Sequence, residues 1–395
     1  MHLSSRVANI KPSPTLSVSK RATELKAQGK PIIDLSLGEP DFDTPESIKQ
    51  AAILALKQGF TKYTAVEGIL PLRQAIVEKF AADNHLNYTP HQILVSTGAK
   101  QCLINLMLAL LNPEDEMILP APYWVSYPDM ASLAGAKTVV IRTEIEQQFK
   151  ITASQLKAAI TPKTRLVVLN SPSNPTGMAY SKAEMKSIGE VLLRNPDIMI
   201  VTDDIYEKIY WKSEPFSNIL MACPGLSDRT VIVHGVSKTY AMTGWRIGFA
   251  AGPAPLISAM GTIQSQSTSG PCSISQKAAL EALTGPQDCV EKMVQTFKER
   301  HDYVVGALNK MPGVRCLEGD GTFYAFPSVK EVLARAPQFK SDSLLAEYLL
   351  MEANVACVPG EAFGAPGYLR FSFATSMELL NQALDQMASA LKRLG

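Results

Sequence analysis

Between about residue 90 and residue 255, short runs that are apolar throughout alternate with stretches of helical spacing, and few architectures accommodate that pattern. "QILVSTG" (92–98) leads into "AKQCLINLMLALL", which reads as a helix. "EMILP" (116–120), "KTVVI" (137–141), "RLVVLN" (165–170), "IMIVTDD" (198–204), "VIVHGV" (231–236) and "RIGFAAG" (246–252) read as further strands. Strands without polar alternation are covered on both faces, and helices between them make the pairing mostly parallel. The expected class is therefore α/β, a mostly parallel sheet flanked by helices. "RIGFAAG" follows "VIVHGV" too closely for a helical crossover, so an antiparallel return is expected there. "SKAEMKSIGEVLLRN" (181–195) is an amphipathic helix opened by Ser181, with Glu184 placed for a capping box.

Beyond about residue 285 the character changes. A long helical stretch, "PQDCVEKMVQTFKERHDYVVGALNKM", is followed by "GTFYAFPSV", "ANVACVPG" and "YLRFSFAT", and then by the amphipathic "MELLNQALDQMASALKRL". Helices mixed with short strands indicate a smaller α+β domain. The expected division is an N-terminal arm with part of the small domain (1–45), a large domain (46–284) and a small C-terminal domain (285–395). The 38 basic and 37 acidic residues are interspersed, leaving a formal net charge of +1 with no basic stripe or acidic block. That pattern argues against nucleic acid or a membrane surface as partner. No run reaches the roughly 18 to 20 apolar residues of a membrane helix, and "MHLSSRVANIKPSPTLSV" lacks the apolar core of a secretory signal. Six scattered cysteines without a C-x-x-C pair argue against a disulfide framework or zinc site. A cytoplasmic location is expected.

Ligands of open α/β sheets bind at the carboxyl ends of the strands. After the 92–96 strand come Gly98, Ala99 and Lys100, opening a helix whose free N–H groups and dipole suit a phosphate. Many such turns bind nothing, and the P-loop spacing is absent. After the 165–170 strand comes "NSPSNPTG", a rigid turn that is either a surface connection or part of a site. After the next strand come Asp203, Asp204 and Tyr206. Adjacent carboxylates on a strand point apart, so they are not an acid/base couple, and one of them is expected to cap the following helix. His234 reads as structural.

In "VIVHGVSKTYAMTGWRIGFAAGP", Lys238 and Arg246 stand eight residues apart between apolar or small flanks, which places both cations in the interior. Desolvation and a neighbouring cation depress a lysine pKa and free its amine for nucleophilic attack. A nucleophilic lysine, an aspartate for a pyridinium nitrogen and a phosphate site at one sheet edge together describe pyridoxal phosphate.

With those residues in place, the chain resembles the fold-type I, class I aminotransferases, in the branch of bacterial aspartate aminotransferases that includes aspartate/prephenate enzymes. The resemblance rests on "SLGEPDFDTP" (36–45), "KYT" (62–64), "APYWVSYP" (121–128), "NSPSNPTG" (170–177), "DDIYE" (203–207), "SKTYAMTGWRIG" (237–248) and "LRFSFATS" (369–376), in family order over nearly the whole chain. It implies that Lys238 is the Schiff-base lysine and proton carrier, and that Asp203 pairs with the pyridinium nitrogen. It places Asn174 and Tyr206 at the ring hydroxyl, Trp124 on the ring face, and Gly98, Ala99, Lys100 and Arg246 around the phosphate. Tyr63 is implied to reach that phosphate from the partner subunit of a homodimer. Gly38, Trp124, Asn174 and Arg370 face the substrate, Arg370 as a bidentate partner of its α-carboxylate. Lys11, in "K-P-S", matches a lysine of relatives that aminate prephenate, and is otherwise a surface lysine.

Two features depart from the family pattern. Gly235 stands where many relatives carry a phosphate-binding serine, with Ser237 as a weaker candidate, and "DDIYE" replaces the commoner "DEIYE". The expected reaction is transamination of aspartate with 2-oxoglutarate, extended in some relatives to prephenate. The alternatives are an aromatic or broad-range aminotransferase, a pyridoxal-phosphate lyase on the same fold, and a binding protein retaining a dead enzyme fold.

Overall fold

A computed structural model describes residues 2–8, 10 and 12–394. Lys11 lies outside the described residues. The strands are β1 (Ile33–Asp34), β2 (Ile93–Ser96), β3 (Glu116–Ala121), β4 (Lys137–Arg142), β5 (Thr164–Asn170), β6 (Met199–Asp203), β7 (Thr230–Gly235), β8 (Gly248–Ala251), β9 (Tyr324–Ala325), β10 (Val355–Ala356), β11 (Val358–Pro359) and β12 (Leu369–Ser372). Seven of them form one sheet in the order β2-β8-β7-β6-β5-β3-β4. Neighbours pair in parallel except β8, which runs antiparallel to both β2 and β7. The return forced by the short β7–β8 connection is thus where the sequence places it.

Full burial of β2, β7 and β8 accounts for their uninterrupted apolar character. β4 is different: at the sheet edge its residues are mostly half-exposed or exposed, so "KTVVI" is apolar without being a core strand. Separate apolar clusters cover the two faces of the sheet. The helix Lys182–Leu193 begins as its sequence requires, Ser181 Oγ accepting from Glu184 N (3.2 Å) while Glu184 Oε2 accepts from Ser181 N (2.8 Å).

A third cluster gathers residues far apart in the chain. Ile33 and Leu35 pack with Phe297, Val304 and Leu308 of the helix Asp288–Leu308, with Phe323, Tyr324 and Phe371 of β9, β12 and their flanks, and with Leu380 and Leu384 of the helix Met377–Lys392. β1 pairs in parallel with β10, while β12 lies antiparallel between β11 and β9. Ile205 and Tyr206, from the turn after β6, belong to this cluster too. The end of the central sheet therefore meets the C-terminal core where the conspicuous polar residues lie.

β6 does not lead directly into a helix: residues 205–208 form a turn, and the next helix, Ile219–Ala222, is capped by Asn218, so neither Asp203 nor Asp204 is a helix cap. Asp204 instead accepts from Thr202 Oγ1 (2.5 Å) and Asn218 Nδ2 (2.8 Å). All six cysteines are free thiols. No helix among the described residues is long and apolar enough to cross a membrane, and no His/Cys/Asp/Glu group there could hold a metal ion.

Candidate active site

The parallel strands end on one edge, and β8 starts from it. That edge carries Ser96, Asn170, Asp203 and Gly235, with Arg246 just before β8. Facing it is a cavity of about 350 Å³, in the range of small-ligand sites. Gly38, Ala99, Lys100, Trp124, Asn174, Asp203, Tyr206, Lys238, Arg246 and Arg370 all line it. Six of the quoted sequence segments, separated by up to 332 positions (Gly38 to Arg370), converge here.

Lys238 projects from the loop after β7, half-buried in the cavity wall, and its Nζ donates to the Gly38 carbonyl at 2.5 Å. Burial lowers its pKa to about 8; Arg246 and Arg370 add to that shift, while Glu39 and Asp203 oppose it. The amine is thus far closer to its neutral, nucleophilic form at physiological pH than an ordinary lysine. Asp203, at the end of β6, is buried, and burial raises its carboxyl to about 6. Tyr127 donates its hydroxyl to Asp203 Oδ2 at 2.7 Å, and Asn170 Nδ2 donates to the Asp203 carbonyl at 2.8 Å. A carboxylate in that setting gains strongly from a cation brought in from outside.

Two features make an anion site. The helix Ala99–Leu110 presents its first N–H groups, which have no partner within the helix. Beside them lies the Arg246 guanidinium, fixed by a bond from its Nη1 to the Thr243 carbonyl (2.8 Å). Gly98, at φ +83°, is required twice over: a side chain would be strained there, and its Cβ would overlap that guanidinium. Arg246 is exposed, lining the cavity mouth. The interior position inferred from its flanks is therefore corrected: small and apolar neighbours mark the wall of a cleft as well as a core. At Gly235, a Cβ would come within 3.0 Å of Gly248 Cα and the Ile247 carbonyl, so the close β7–β8 approach leaves little room for a serine. Ser237 lines the cavity instead.

On the opposite wall, Arg370 of β12 is 2% exposed, with its guanidinium 4.4 Å from the Tyr324 ring centre and 5.0 Å from that of Phe363. Nη1 donates to Asn174 Oδ1 (3.0 Å), Nη2 donates to the Ser36 carbonyl (2.6 Å), and Nε is buried without a partner. A buried guanidinium with no carboxylate beside it among the described residues, and donor capacity to spare, suits an incoming anion. Tyr206 and Tyr324 share a hydrogen bond between hydroxyls at 2.9 Å, and the Trp124 ring lies 5.3 Å from Tyr127, edge to face. The Lys100 ammonium stands 4.8 Å above Trp124. Its backbone is at the anion site, but its side chain looks across the cavity; burial, then Arg246, lower its pKa.

Several lining residues were not among those singled out in the sequence: Tyr127, Asn170 and Tyr324, and Ser13, Thr15 and Leu16 at the mouth. "APYWVSYP" contains Tyr127, but its bond to Asp203, 76 positions away, depends on how β3 and β6 sit in the sheet. Tyr63 is not brought to the cavity of its own chain. It is 99% exposed and lines a separate surface hollow with Thr61, Pro271 and Ser273.

These residues fit pyridoxal phosphate. The helix terminus with Arg246 is an anion cradle, Asp203 offers a counter-charge, Lys238 an amine of lowered pKa, and Arg370 a second anion partner with an unused donor. Residues 30–387 match the family model for class I and II aminotransferases. The chain is 54% identical to the aspartate/prephenate aminotransferase of Nitrosomonas europaea, over 99% of this chain and all of that protein. It is 51% identical to the aspartate/prephenate aminotransferase of Cereibacter sphaeroides, over 96% of each. The crystal structure of the Rhizobium meliloti aspartate aminotransferase superposes with a TM-score of 0.96 at 48% identity, covering 100% of this chain and 99% of that one. The Thermus thermophilus aspartate aminotransferase, solved with maleate, superposes at 0.93 and 41% identity, covering 99% and 100%. Over almost its entire length, with its sheet edge, lysine and paired anion sites in place, the chain belongs to the class I and II aminotransferases, pyridoxal-phosphate-dependent enzymes of fold type I.

Proposed function

We propose that this aminotransferase transfers the amino group of aspartate to 2-oxoglutarate, giving oxaloacetate and glutamate. The carrying observation is the facing of Lys238 and Asp203 on one wall by Arg370 on the other, across a cavity of about 350 Å³. Pyridoxal phosphate, when bound, supplies the aldehyde that takes up the amino group and the electron sink that loosens the Cα–H bond.

The chain's own groups then have distinct tasks. Arg370 binds the α-carboxylate through its fork and orients the substrate. Lys238 is placed to make the covalent link to the cofactor and, when freed from it, would carry the proton between the substrate Cα and the cofactor carbon. Asp203, oriented by Tyr127, would keep the pyridinium nitrogen protonated. Asn174 and Tyr206 would hold the ring hydroxyl, Trp124 would cover the ring face, and the backbone of Gly98, Ala99 and Lys100 with the Arg246 guanidinium would hold the phosphate. Arg370 belongs to the C-terminal core and Lys238 to the sheet, so a substrate held by both draws the two together and excludes water. This assigns 46–284 to the large cofactor-binding domain, and 1–45 with 285–395 to the arm and small domain.

Aspartate carries a second carboxylate. With Arg370, Arg246 and Lys238 engaged, Lys100 is the remaining cation among the described lining residues, and its ammonium stands over Trp124 on the cavity wall. That the Thermus enzyme was solved with maleate, itself a dicarboxylate, supports a dicarboxylic substrate. The names of the Nitrosomonas and Cereibacter relatives support prephenate as a second acceptor, with Lys11 as a further contact. The working unit is a cytoplasmic homodimer in which Tyr63 completes the partner's phosphate site; its full exposure in the single chain supports this. Steady-state rates with a panel of amino donors and 2-oxo acids test the proposal. Aspartate should give the highest kcat/KM, and preference for an aromatic or branched-chain donor would overturn it. Absence of turnover without a 2-oxo acid separates a transaminase from a lyase.

A further inference from the structure

"SLGEPDFDTP" brings Gly38 to the cavity, but the far end of the motif lies outside it. Thr44 is buried there, 8% exposed. Its hydroxyl donates to the Ala241 carbonyl at 2.7 Å and accepts the indole N–H of Trp245 at 3.0 Å. Both partners belong to the loop joining β7 to β8, with Lys238 near its start and Arg246 near its end.

That loop contains two non-glycine residues in the left-handed region, Ala241 at φ 50° and Arg246 at φ 59°. Such conformations are strained and persist where surrounding contacts over-determine them. Thr44 holds the loop at the first strained residue and at the neighbour of the second. Glu39, on the same strap, accepts from Thr243 Oγ1 at 3.0 Å, and the Gly38 carbonyl accepts from Lys238. The strap is itself anchored by a two-pronged ion pair, Asp41 with Arg300, at 2.7 and 2.9 Å.

We propose that Thr44 is a positioning residue for cofactor binding: through Ala241 and Trp245 it fixes the loop shape from which Arg246 reaches the phosphate and Lys238 the aldehyde. The proposal rests on the pyridoxal phosphate site described above. Thr44 does not line the cavity and acts only through the loop.

The test uses the holoenzyme and three variants. Thr44→Val nearly preserves shape but leaves the Ala241 carbonyl and the Trp245 N–H unpaired. Thr44→Ser keeps the hydroxyl, and Trp245→Phe removes only the indole donor. The cofactor Kd is read from the near-ultraviolet to blue absorbance on dilution, the pH titration of the lysine–cofactor link from the same band, and folding from the urea midpoint. Thr44→Val should weaken cofactor binding about tenfold or more, since a buried group loses its partner. It should also shift the titration. Thr44→Ser should stay within about threefold of wild type, with Trp245→Phe in between. A folded Thr44→Val protein with wild-type Kd and titration overturns the proposal. Should that variant fail to fold, an unchanged Kd in Trp245→Phe overturns it equally. Failure of the wild-type chain to bind pyridoxal phosphate would instead overturn the cofactor reading.

Discussion

The turn after β6 has two sides, and they differ in how far the chain satisfies its own polar groups. Asp203 and Tyr206 face the cavity. Asp204 and Glu207, from the same few residues, face away from it. Glu207 accepts from Lys79 Nζ (2.5 Å) and Asn84 Nδ2 (2.9 Å) and lies 3.0 Å from His234 Nε2. Burial alone would raise the Glu207 carboxyl, but Lys79 and His234 hold it well below the usual range. Asp204 has Thr202 and Asn218. Across the cavity, by contrast, Arg370 keeps an unpartnered Nε, and no cation among the described residues is bonded to Asp203. The two carboxylates facing away are each tied to partners of the chain, whereas the groups lining the cavity, Asp203 and Arg370, keep capacity for a charged ligand.

The sharpest way to break this comparison is at Lys238. Lys238→Ala should lower turnover by at least about 10⁴-fold, because both the covalent link and the proton carrier are lost. Borohydride treatment of the wild-type holoenzyme should fix the cofactor to the peptide containing Lys238, and labelling at Lys100 would overturn the assignment. Next comes the adjacent pair. Asp203→Asn should reduce kcat about 100- to 1,000-fold with cofactor still bound, since a neutral amide cannot hold the pyridinium proton. Asp204→Asn should leave kcat within a few-fold, so similar kinetic losses in the two variants would erase the distinction.

Arg370→Lys keeps the charge but loses the planar fork. A loss of about 2–4 kcal/mol in transition-state binding, roughly 30- to 1,000-fold in kcat/KM, is expected for every amino acid tried. A defect confined to dicarboxylic substrates would assign Arg370 to the second carboxylate instead.

The smallest effect is on stability. Burial raises Asp204 to about 7, with Glu207 adding to the shift against Thr202 and Asn218. A carboxyl raised on folding binds its proton more tightly in the native state, so its contribution favours folding as pH falls from about 7 toward 4. Asp204→Asn removes that dependence. Its destabilisation, about 1–3 kcal/mol, should be larger at pH 5 than at pH 8 in urea titrations. The reverse order would mean that Asp204 is held ionised by its surroundings.

The sheet was legible because its strands are buried on both faces and therefore lack polar interruptions. Of the site, the convergence was legible: Lys238 and Asp203 stand out at strand ends and Arg370 is pointed to by the family resemblance, and all three line one cavity. What escaped depends on distance in the chain. Nothing around Tyr127 announces Asp203, and Ser13, Thr15 and Leu16 reach the cavity only because the N-terminal segment packs across its mouth. At Arg246 the site was legible and only the depth was not: its neighbours look the same along a cleft wall as in a core, and only the fold separates the two. The expectation that one of Asp203 and Asp204 caps a helix fails because strands of this class usually lead straight into helices, and here a turn intervenes.

The antiparallel return of β8 has a consequence for how this protein tolerates rearrangement. Lys238 and Arg246 hang from neighbouring strands whose register is set by paired residues such as Gly235 and Gly248. The seven residues between them act as a ruler, so a single insertion or deletion would displace the Lys238 amine and the Arg246 guanidinium relative to each other. The turn before edge strand β4, far from any such pair, should accept added residues readily. A library of random one-residue insertions selected for activity should therefore be empty between 239 and 245 and populated around 134–136.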